Sequence, residues 1–478
     1  MTTSSATLGL EHICSIEDIF QRHLLPYLTA TSLGRLECTS PTVRHQIKVS
    51  FGWKILCQRD YYVEHEEDTA VCRAPVYNTD LQSFDELKPC LNWKESYKHW
   101  LGWQAWTHSS VKPQDMVKAM NLFRRLRVWL RHNNLQNVLQ SFAPCLEQHV
   151  FERLKGHFPS NLLALYAIHG GQNRLRPTSP DSDFFAGLFG GYTCYDSFYS
   201  MRLMYANMFA DEDMMLEENN IVPIAMSPGN PRTYLFVNPT PDDPEGSIMI
   251  SNSYGTAAQL QTVGRGGILS YLETYVDRLE GGYYQPIPII PGSPTSTGIS
   301  LFPNAGPTLS CAVTRGIEVR ASARWFPDPH GRRQNLNFGY SIRIRLVEIV
   351  HGNQDLETTC QLVGRHWAFT DGNGDVRRVD GEGVVGKQPL FFREDNDGSN
   401  ACGFVDLGPA GDGERKAGSV FYYQSQSGPV AGTSVDDTQG ASVEGTFSFV
   451  PGSIENPRGP MFHVTVPKFP LSISLPFY

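Results

Sequence analysis

A chain of 478 residues with 40% hydrophobic and 19% charged residues has the composition of a globular protein, and its length predicts roughly two to four domains. The formal charge of −9 argues against nucleic acid as the main partner, because that role needs a basic stripe. The opening Met1-Thr2-Thr3-Ser4-Ser5 lacks the basic region and apolar run of a secretory signal. No apolar run approaches membrane-spanning length, so no membrane partner is expected. Ten cysteines stand singly with no C-x-x-C pair. They fit reduced thiols of a cytoplasmic or nuclear protein better than a disulfide framework or a zinc site.

From residue 12 the pattern is one of short packed helices. Ile16, Ile19, Leu24 and Leu28 recur at steps that make roughly one helical stripe. Thr31-Ser32 offers a cap for a second helix carrying Leu33 and Leu36, and Pro41 opens a third with Val43 and Ile47 facing inward. Phe51-Gly52-Trp53-Lys54 follows. A small helical bundle without a specific task gives the same periodicity. The spacing of Ile16-x-Asp18-Ile19, Leu24-Leu25-Pro26-Tyr27-Leu28, Leu33, Leu36-x-Cys38 and Trp53 nevertheless resembles an F-box, the segment that docks a Skp-type adaptor. The chain departs from that family at Ser15-Ile16, where Leu-Pro is usual. The resemblance implies an F-box over residues 12–60, with Ile16, Ile19, Leu24, Leu25, Pro26, Leu28, Leu33 and Trp53 as apolar anchors in the adaptor's groove.

Residues 61–114 are expected to be a helical connector. The stretch around Glu64-His65-Glu66-Glu67-Asp68 has no periodicity and reads as a solvated loop. Helix restarts with Trp93, Tyr97, Trp100 and Trp103, rings whose commoner fate is packing rather than caging a ligand. Met116, Met120, Phe123, Leu126 and Leu130 predict an amphipathic helix over 115–131, with Arg124, Arg125, Arg127 and Arg131 on a solvated face. Pro144 is placed to open a helix through Leu146, Val150 and Leu154. Phe158-Pro159-Ser160 opens another through Leu162, Leu165 and Tyr166, which His169-Gly170-Gly171-Gln172-Asn173 stops. This stop, the later segments Gly187 to Tyr192, Val222 to Ala225 and Tyr234 to Val237, and a last helix from Ile268 to Gly282 resemble the SUKH (Smi/Knr-type) domain. That family implies a protein-binding α+β module over 115–284.

Residues 285–305, rich in Pro, Ser, Thr and Gly, read as a linker. From Cys311 the period changes to two. Phe338, Tyr340, Ile342, Ile344 and Leu346 alternate with Gly339, Ser341, Arg343, Arg345 and Val347, as in a half-buried strand. Leu362 to Phe369 predicts another strand, and Asp371-Gly372-Asn373-Gly374-Asp375 a hairpin turn. Further strands are expected at Phe421 to Tyr423, Gly445 to Val450 and Phe462 to Val466, which together predict an all-β domain over 306–478. Residues 393–418 read as a long inserted loop.

Gly381, Gly383 and Gly386 spell G-x-G-x-x-G. That spacing cradles a phosphate when it follows a strand and opens a helix. Here Pro389 comes soon after and Phe391-Phe392 looks like strand, so a glycine-rich bend inside a β domain fits better. Arg365-His366-Trp367, Gly381-x-Gly383-Val384-Val385-Gly386-x-Gln388-Pro389 and Pro467-x-Phe469-x-Leu471 resemble the ApaG family. The family implies a fibronectin-III-like β-sandwich, found alone in bacteria and at the end of some F-box proteins. By that resemblance Arg365, His366, Trp367, Gly381, Gly383, Gly386 and Gln388 are candidate substrate- or ligand-binding positions.

No HExxH, G-x-S-x-G, P-loop or metal-spaced Cys/His set occurs. His366 reads as a structural or surface histidine, and Asp395, Asp397, Asp436 and Asp437 as loop residues. No catalytic residue, metal or cofactor is expected. The order F-box, SUKH, ApaG resembles the F-box only protein 3 group and the Skp-interacting ApaG proteins of plants. It implies a multidomain α+β chain, a non-catalytic substrate receptor of a Skp–cullin–F-box ubiquitin ligase. Its partners would be the adaptor, through it cullin and RING subunits, and a protein substrate of unknown identity. Two other readings stay open: a regulatory module that binds phosphate or nucleotide at the Gly381–Gly386 bend, and a scaffold without adaptor docking.

Overall fold

A computed structural model describes residues 20–49, 52–62, 92–107, 110–143, 146, 148–172, 187–194, 197–205, 221–227, 233–251, 261–289, 296–326, 336–347, 359–396, 399–405, 419–431 and 440–472. A wide turn, Phe20–Leu24, and a tighter one, Leu25–Tyr27, lead into helices α1 (Ala30–Glu37), α2 (Pro41–Val49) and α3 (Gly52–Tyr61). Thr29, two residues ahead of the expected cap, holds the start of α1, its hydroxyl accepting the Ser32 N–H at 3.1 Å. Ser40 does the same for α2, accepting the Val43 N–H at 3.2 Å ahead of Pro41. Phe20, Leu25, Leu33, Val43, Ile47 and Leu56 are buried together.

Helix α4 (Trp93–Trp106) docks on α3 through aromatic rings. Tyr61 stacks on Trp100 at 5.5 Å, and Tyr97 sits 5.6 Å from Trp53. The Tyr97 hydroxyl donates to Asp60 at 2.8 Å. Among the described rings, packing is therefore the role of this cluster.

Next come α5 (Pro113–His132), α6 (Gln136–Gln140), α7 (Gln148–Leu154) and α8 (Ser160–Ile168). Pro144 lies outside the described residues. Helix α5 buries the stripe Met116, Met120, Phe123, Leu126 and Leu130, as its period predicts. Its arginine face differs from the expectation. Helix α9 (Gly267–Glu280) lies along it, so Arg125 pairs with Asp277 at 2.6 Å and with Glu280, and Lys118 pairs with Glu273 at 2.7 Å. Arg127 is buried. A second packed helix makes a contact surface of what reads in isolation as a solvated one.

Strands β1 (Gly191–Cys194) and β2 (Ser197–Ser200) pair with each other. A five-stranded antiparallel sheet then runs in sequence order through β3 (Arg202–Leu203), β4 (Val222–Ser227), β5 (Thr233–Thr240), β6 (Asp243–Ser251) and β7 (Gln261–Gly264). The middle of the chain is thus α+β. Part of the expected linker is ordered and packed: β8 (Pro286–Pro288) pairs with β9 (Thr297–Ile299), and Ile289, Ile299, Leu301 and Phe302 are fully buried. Proline suits a two-stranded edge because it needs no ladder donor there, so a linker-like composition conceals a strand.

The remaining strands are β10 (Ser310–Thr314), β11 (Ile317–Phe326), β12 (Leu336–Leu346), β13 (Thr359–Thr370), β14 (Val376–Glu382), β15 (Leu390–Asn396), β16 (Ser399–Val405), β17 (Phe421–Val430), β18 (Ser442–Pro451) and β19 (Phe462–Pro470). They make two sheets, β10-β11-β12-β17 and β16-β15-β13-β18-β19, with β14 on the open part of β13. The sheets face each other through Tyr340 on Trp367 at 5.9 Å, Phe391 on Phe421 at 6.2 Å and Tyr423 on Phe447 at 6.5 Å, which is a β-sandwich.

Two expectations change here. Strand β12 is covered on both faces, because residues 300–304 cap its outer side and take in Ser341 and Arg343. The supposed inserted loop begins as the β15–β16 hairpin, and residues 406–418 lie outside the described residues. No described helix is long and apolar enough to cross a membrane.

Candidate functional site

The hairpin β13–β14 places the sequence motif. Arg365 lies opposite Gly381, His366 opposite Asp380 and Trp367 opposite Val379. The Asp371 carboxylate closes the first turn, accepting the N–H groups of Asn373 and Asp375, each at 2.9 Å. A second turn follows β14. Val384 and Lys387 exchange both backbone hydrogen bonds, at 2.8 and 2.9 Å, around Val385 (φ 50°) and Gly386 (φ 72°). Positive φ at both central residues is the type I′ geometry of a tight hairpin.

Each motif glycine then has its own reason. Gly383 has φ 56°, and a Cβ there would stand 2.6 Å from the Lys387 carbonyl oxygen. At Gly381 a Cβ would press on the Arg365 guanidinium at 3.1 Å. The N–H groups of Gly383, Val384 and Lys387 all donate inside the chain, and strand β15 follows where a phosphate cradle needs a helix. Gln388 locks the bend to β13, its Nε2 donating to the Val363 carbonyl at 3.3 Å.

Strand period two splits Arg365-His366-Trp367 between faces. Arg365 and Trp367 point inward, and Arg365 Nη1 donates to the carbonyls of Gly383 at 2.6 Å and Glu382 at 3.2 Å. Trp367 is 3% exposed, edge-on to Phe447 at 5.5 Å. Beside them opens a cleft of ≈ 150 Å³ between β13–β14 and the facing strands β12 and β17, lined by Tyr340, Arg365, Trp367, Phe369, Arg377, Val379, Val385, Tyr423 and Ser425 to Ser427. Arg377 was not singled out from the sequence. Its Nη2 donates to the Ser427 carbonyl at 2.5 Å, and its guanidinium lies over the Phe369 ring at 4.8 Å. The alternation Arg377-x-Val379-x-Gly381 opposite Arg365-x-Trp367-x-Phe369 is the signal that could have found it.

On the outer face, His366 Nδ1 lies 2.7 Å from Asp380 and Nε2 lies 2.9 Å from the Ser448 hydroxyl, which reaches His463 Nδ1 at 3.3 Å. Carboxylate, imidazole and hydroxyl in that order form the skeleton of an activated nucleophile. Ser448, however, is only 3% exposed and bridges two imidazoles. The group ties β13, β14, β18 and β19 together on one face. Among the described residues, no set of three or more His, Cys, Asp or Glu is placed to hold a metal ion.

The candidate adaptor anchors separate by burial. Ile16 and Ile19 lie outside the described residues. Leu25 and Leu33 are fully buried in the helical core, whereas Leu24, Pro26, Leu28 and Trp53 are half-buried. Trp53 donates its indole N–H to Glu37 at 2.7 Å. Arg59 Nη1 donates to the carbonyls of Pro26 at 2.8 Å and Leu28 at 2.9 Å, pinning the turn to α3. Tyr27, between them, is 81% exposed.

Residues 328–396 match the ApaG domain family, so the sandwich carries an ApaG domain. Along nearly its whole length the chain is similar to the F-box protein SKIP16 of Arabidopsis thaliana, at 26% identity over 504 residues, covering 98% of this chain and 99% of that protein. It is also similar to Protein ApaG of Anaeromyxobacter dehalogenans, 42% identical over 81 residues, and of Dechloromonas aromatica, 43% over 78 residues. Those matches cover 17% and 16% of this chain and 58% and 54% of the bacterial proteins, a little over half their length. The resemblance to the plant F-box and ApaG proteins is borne out.

Proposed function

We propose that the chain is the substrate-recognition subunit of a Skp–cullin–F-box ubiquitin ligase. The observation that carries this reading is the end-to-end similarity to an F-box protein in a chain that also holds an ApaG sandwich. The turn at residues 24–28 and helices α1 to α3 dock the Skp-type adaptor, through Leu24, Pro26, Leu28, Trp53 and the exposed Tyr27. Cullin and RING subunits join through the adaptor. The α+β middle, of SUKH type, and the sandwich hold the substrate protein. The chain does no chemistry of its own; it raises the local concentration of a substrate lysine at the charged conjugating enzyme, in the cytoplasm or nucleus.

The test is co-purification of the intact chain with a Skp-type adaptor, beside a Leu24→Ala, Leu28→Ala double variant with a wild-type melting curve. Capture by the intact chain and its loss in the variant support the receptor. A folded intact chain that captures no adaptor sinks it.

A further inference from the structure

We infer that the cleft between β14 and strands β12 and β17 is the receptor's substrate pocket, and that it takes a peptide carboxylate. This deepens the receptor reading and rests on it for the word substrate.

The charge comes first. The ionised groups lining the cleft are Arg365 and Arg377, with no acid among the lining residues, in a chain whose net charge is −9. Each guanidinium is held by a backbone carbonyl, Arg365 through Nη1 on Gly383 and Arg377 through Nη2 on Ser427, which fixes the fork and leaves its other nitrogens for a ligand. Two preset planar forks match a planar carboxylate in bidentate contact. The Trp367 ring lines the same wall, and its indole N–H, buried without a hydrogen-bond partner, sits close enough to report on what enters the cleft. Both guanidinium groups only donate, so the group they select is an acceptor such as a carboxylate, while the lining side chains of Tyr423, Ser425 and Gln426 can donate or accept beside it.

Shape and lining narrow the class. The rings of Tyr340, Trp367 and Phe369 back the cleft, but most of the surface it exposes is polar, which suits the acid group itself. At ≈ 150 Å³ it is small beside the roughly 300–1,000 Å³ of sites for whole organic ligands such as nucleotides. Phosphates are commonly held by clusters of backbone N–H groups. In the adjoining bend the N–H groups of Gly383, Val384 and Lys387 already donate within the chain.

The experiment titrates the ¹⁵N-labelled full chain with four probes: Ac-Phe-Glu-Phe-NH₂, Ac-Phe-Gln-Phe-NH₂, Ac-Phe-Phe with a free C-terminal carboxylate, and sodium pyrophosphate. The readout is the Trp367 indole N–H resonance, assigned with Trp367→Phe. Saturable shifts are expected with a carboxylate peptide and none with the Gln peptide, and Arg377→Gln should weaken binding at least tenfold. Which carboxylate peptide binds tells an acidic side chain from a chain terminus. Equal binding of the Glu and Gln peptides, no response to any peptide, a response to pyrophosphate alone, or wild-type affinity in Arg377→Gln overturns the proposal. Adaptor capture is measured on the same samples. Adaptor captured without peptide binding removes the pocket and leaves the receptor; peptide binding without adaptor capture removes the receptor and leaves the pocket.

Discussion

Arg127 Nη2 lies 2.6 Å from His169 Nε2, with both side chains buried. A guanidinium only donates, so Nε2 accepts and the ring proton sits on Nδ1, which donates to the Ala143 carbonyl at 3.0 Å. Burial, and then the Arg127 charge, drive the His169 pKa well below its ordinary 6.5. Burial also draws the Arg127 guanidinium down to about 10. His169 is therefore neutral in the fold, while the unfolded chain takes up its proton near 6.5. This contribution to stability is complete above the unfolded value and is lost as the pH falls from there toward the folded one. Melting temperatures compared between about pH 7 and pH 5 should fall more steeply in the wild type than in His169→Gln. Parallel curves would remove the buried neutral histidine from the account.

Tyr27 offers a sharper probe of adaptor docking than the leucines around it. It is 81% exposed on a turn that Arg59 pins, so its ring contributes little to the core. Tyr27→Ala should weaken adaptor capture by about tenfold or more, the scale of an interface anchor, at an unchanged melting temperature. Leu25→Ala and Leu33→Ala, at fully buried positions, should instead cost about 2–5 kcal/mol of stability and lose capture through unfolding. Wild-type capture by Tyr27→Ala would move the docking surface away from this turn.

The turn after β14 holds a β-branched residue where glycine is at ease. Val385 has φ 50°. Such a conformation costs of order 1–3 kcal/mol in a residue with a Cβ. Val385→Gly should raise the unfolding free energy, by up to about 1 kcal/mol once the greater freedom of glycine in the unfolded chain is set against the relief. Gly383→Ala should lower it by about 1–3 kcal/mol, because its Cβ meets the Lys387 carbonyl oxygen at 2.6 Å. Opposite signs in chemical denaturation check both together; equal signs would contradict the turn geometry.

Periodicity made the larger elements legible. The stripe Met116, Met120, Phe123, Leu126 and Leu130 and the alternation from Phe338 to Leu346 both reappear as a helix and a strand. What the period cannot carry is the partner of each face. Arg125 and Arg127 read as solvated until α9 lies beside them, and Arg343 reads as an outward residue until residues 300–304 cover it. The site was half legible. Arg365 and Trp367 stood out by resemblance, but Arg377 joins them only through the register of β13 with β14. The hairpin turn was legible, but which face Arg377 takes depends on the exact register of that hairpin.

The covered face of the sandwich gives the last prediction. Arg324 donates to the Leu301 carbonyl at 3.2 Å and to the Tyr284 hydroxyl, and Arg343 donates to Asn304 and to the Ser300 hydroxyl, the latter at 3.4 Å. Burial holds the Arg343 pKa down to about 10, so the guanidinium stays charged at neutral pH while its neighbours answer it with oxygen atoms. These two side chains fasten Tyr284 and residues 300–304 onto strands β11 and β12, and with them the α+β middle onto the sandwich. Arg343→Ala leaves the Asn304 side chain without that donor, at a cost of about 1–3 kcal/mol, while Ser300 keeps its bonds with the Phe302 backbone. Hydrogen exchange in residues 296–304 should quicken in this variant, while β18, on the far sheet, keeps its protection. Exchange that quickens equally in β18 would mean that the arginine supports the whole sandwich rather than the clamp.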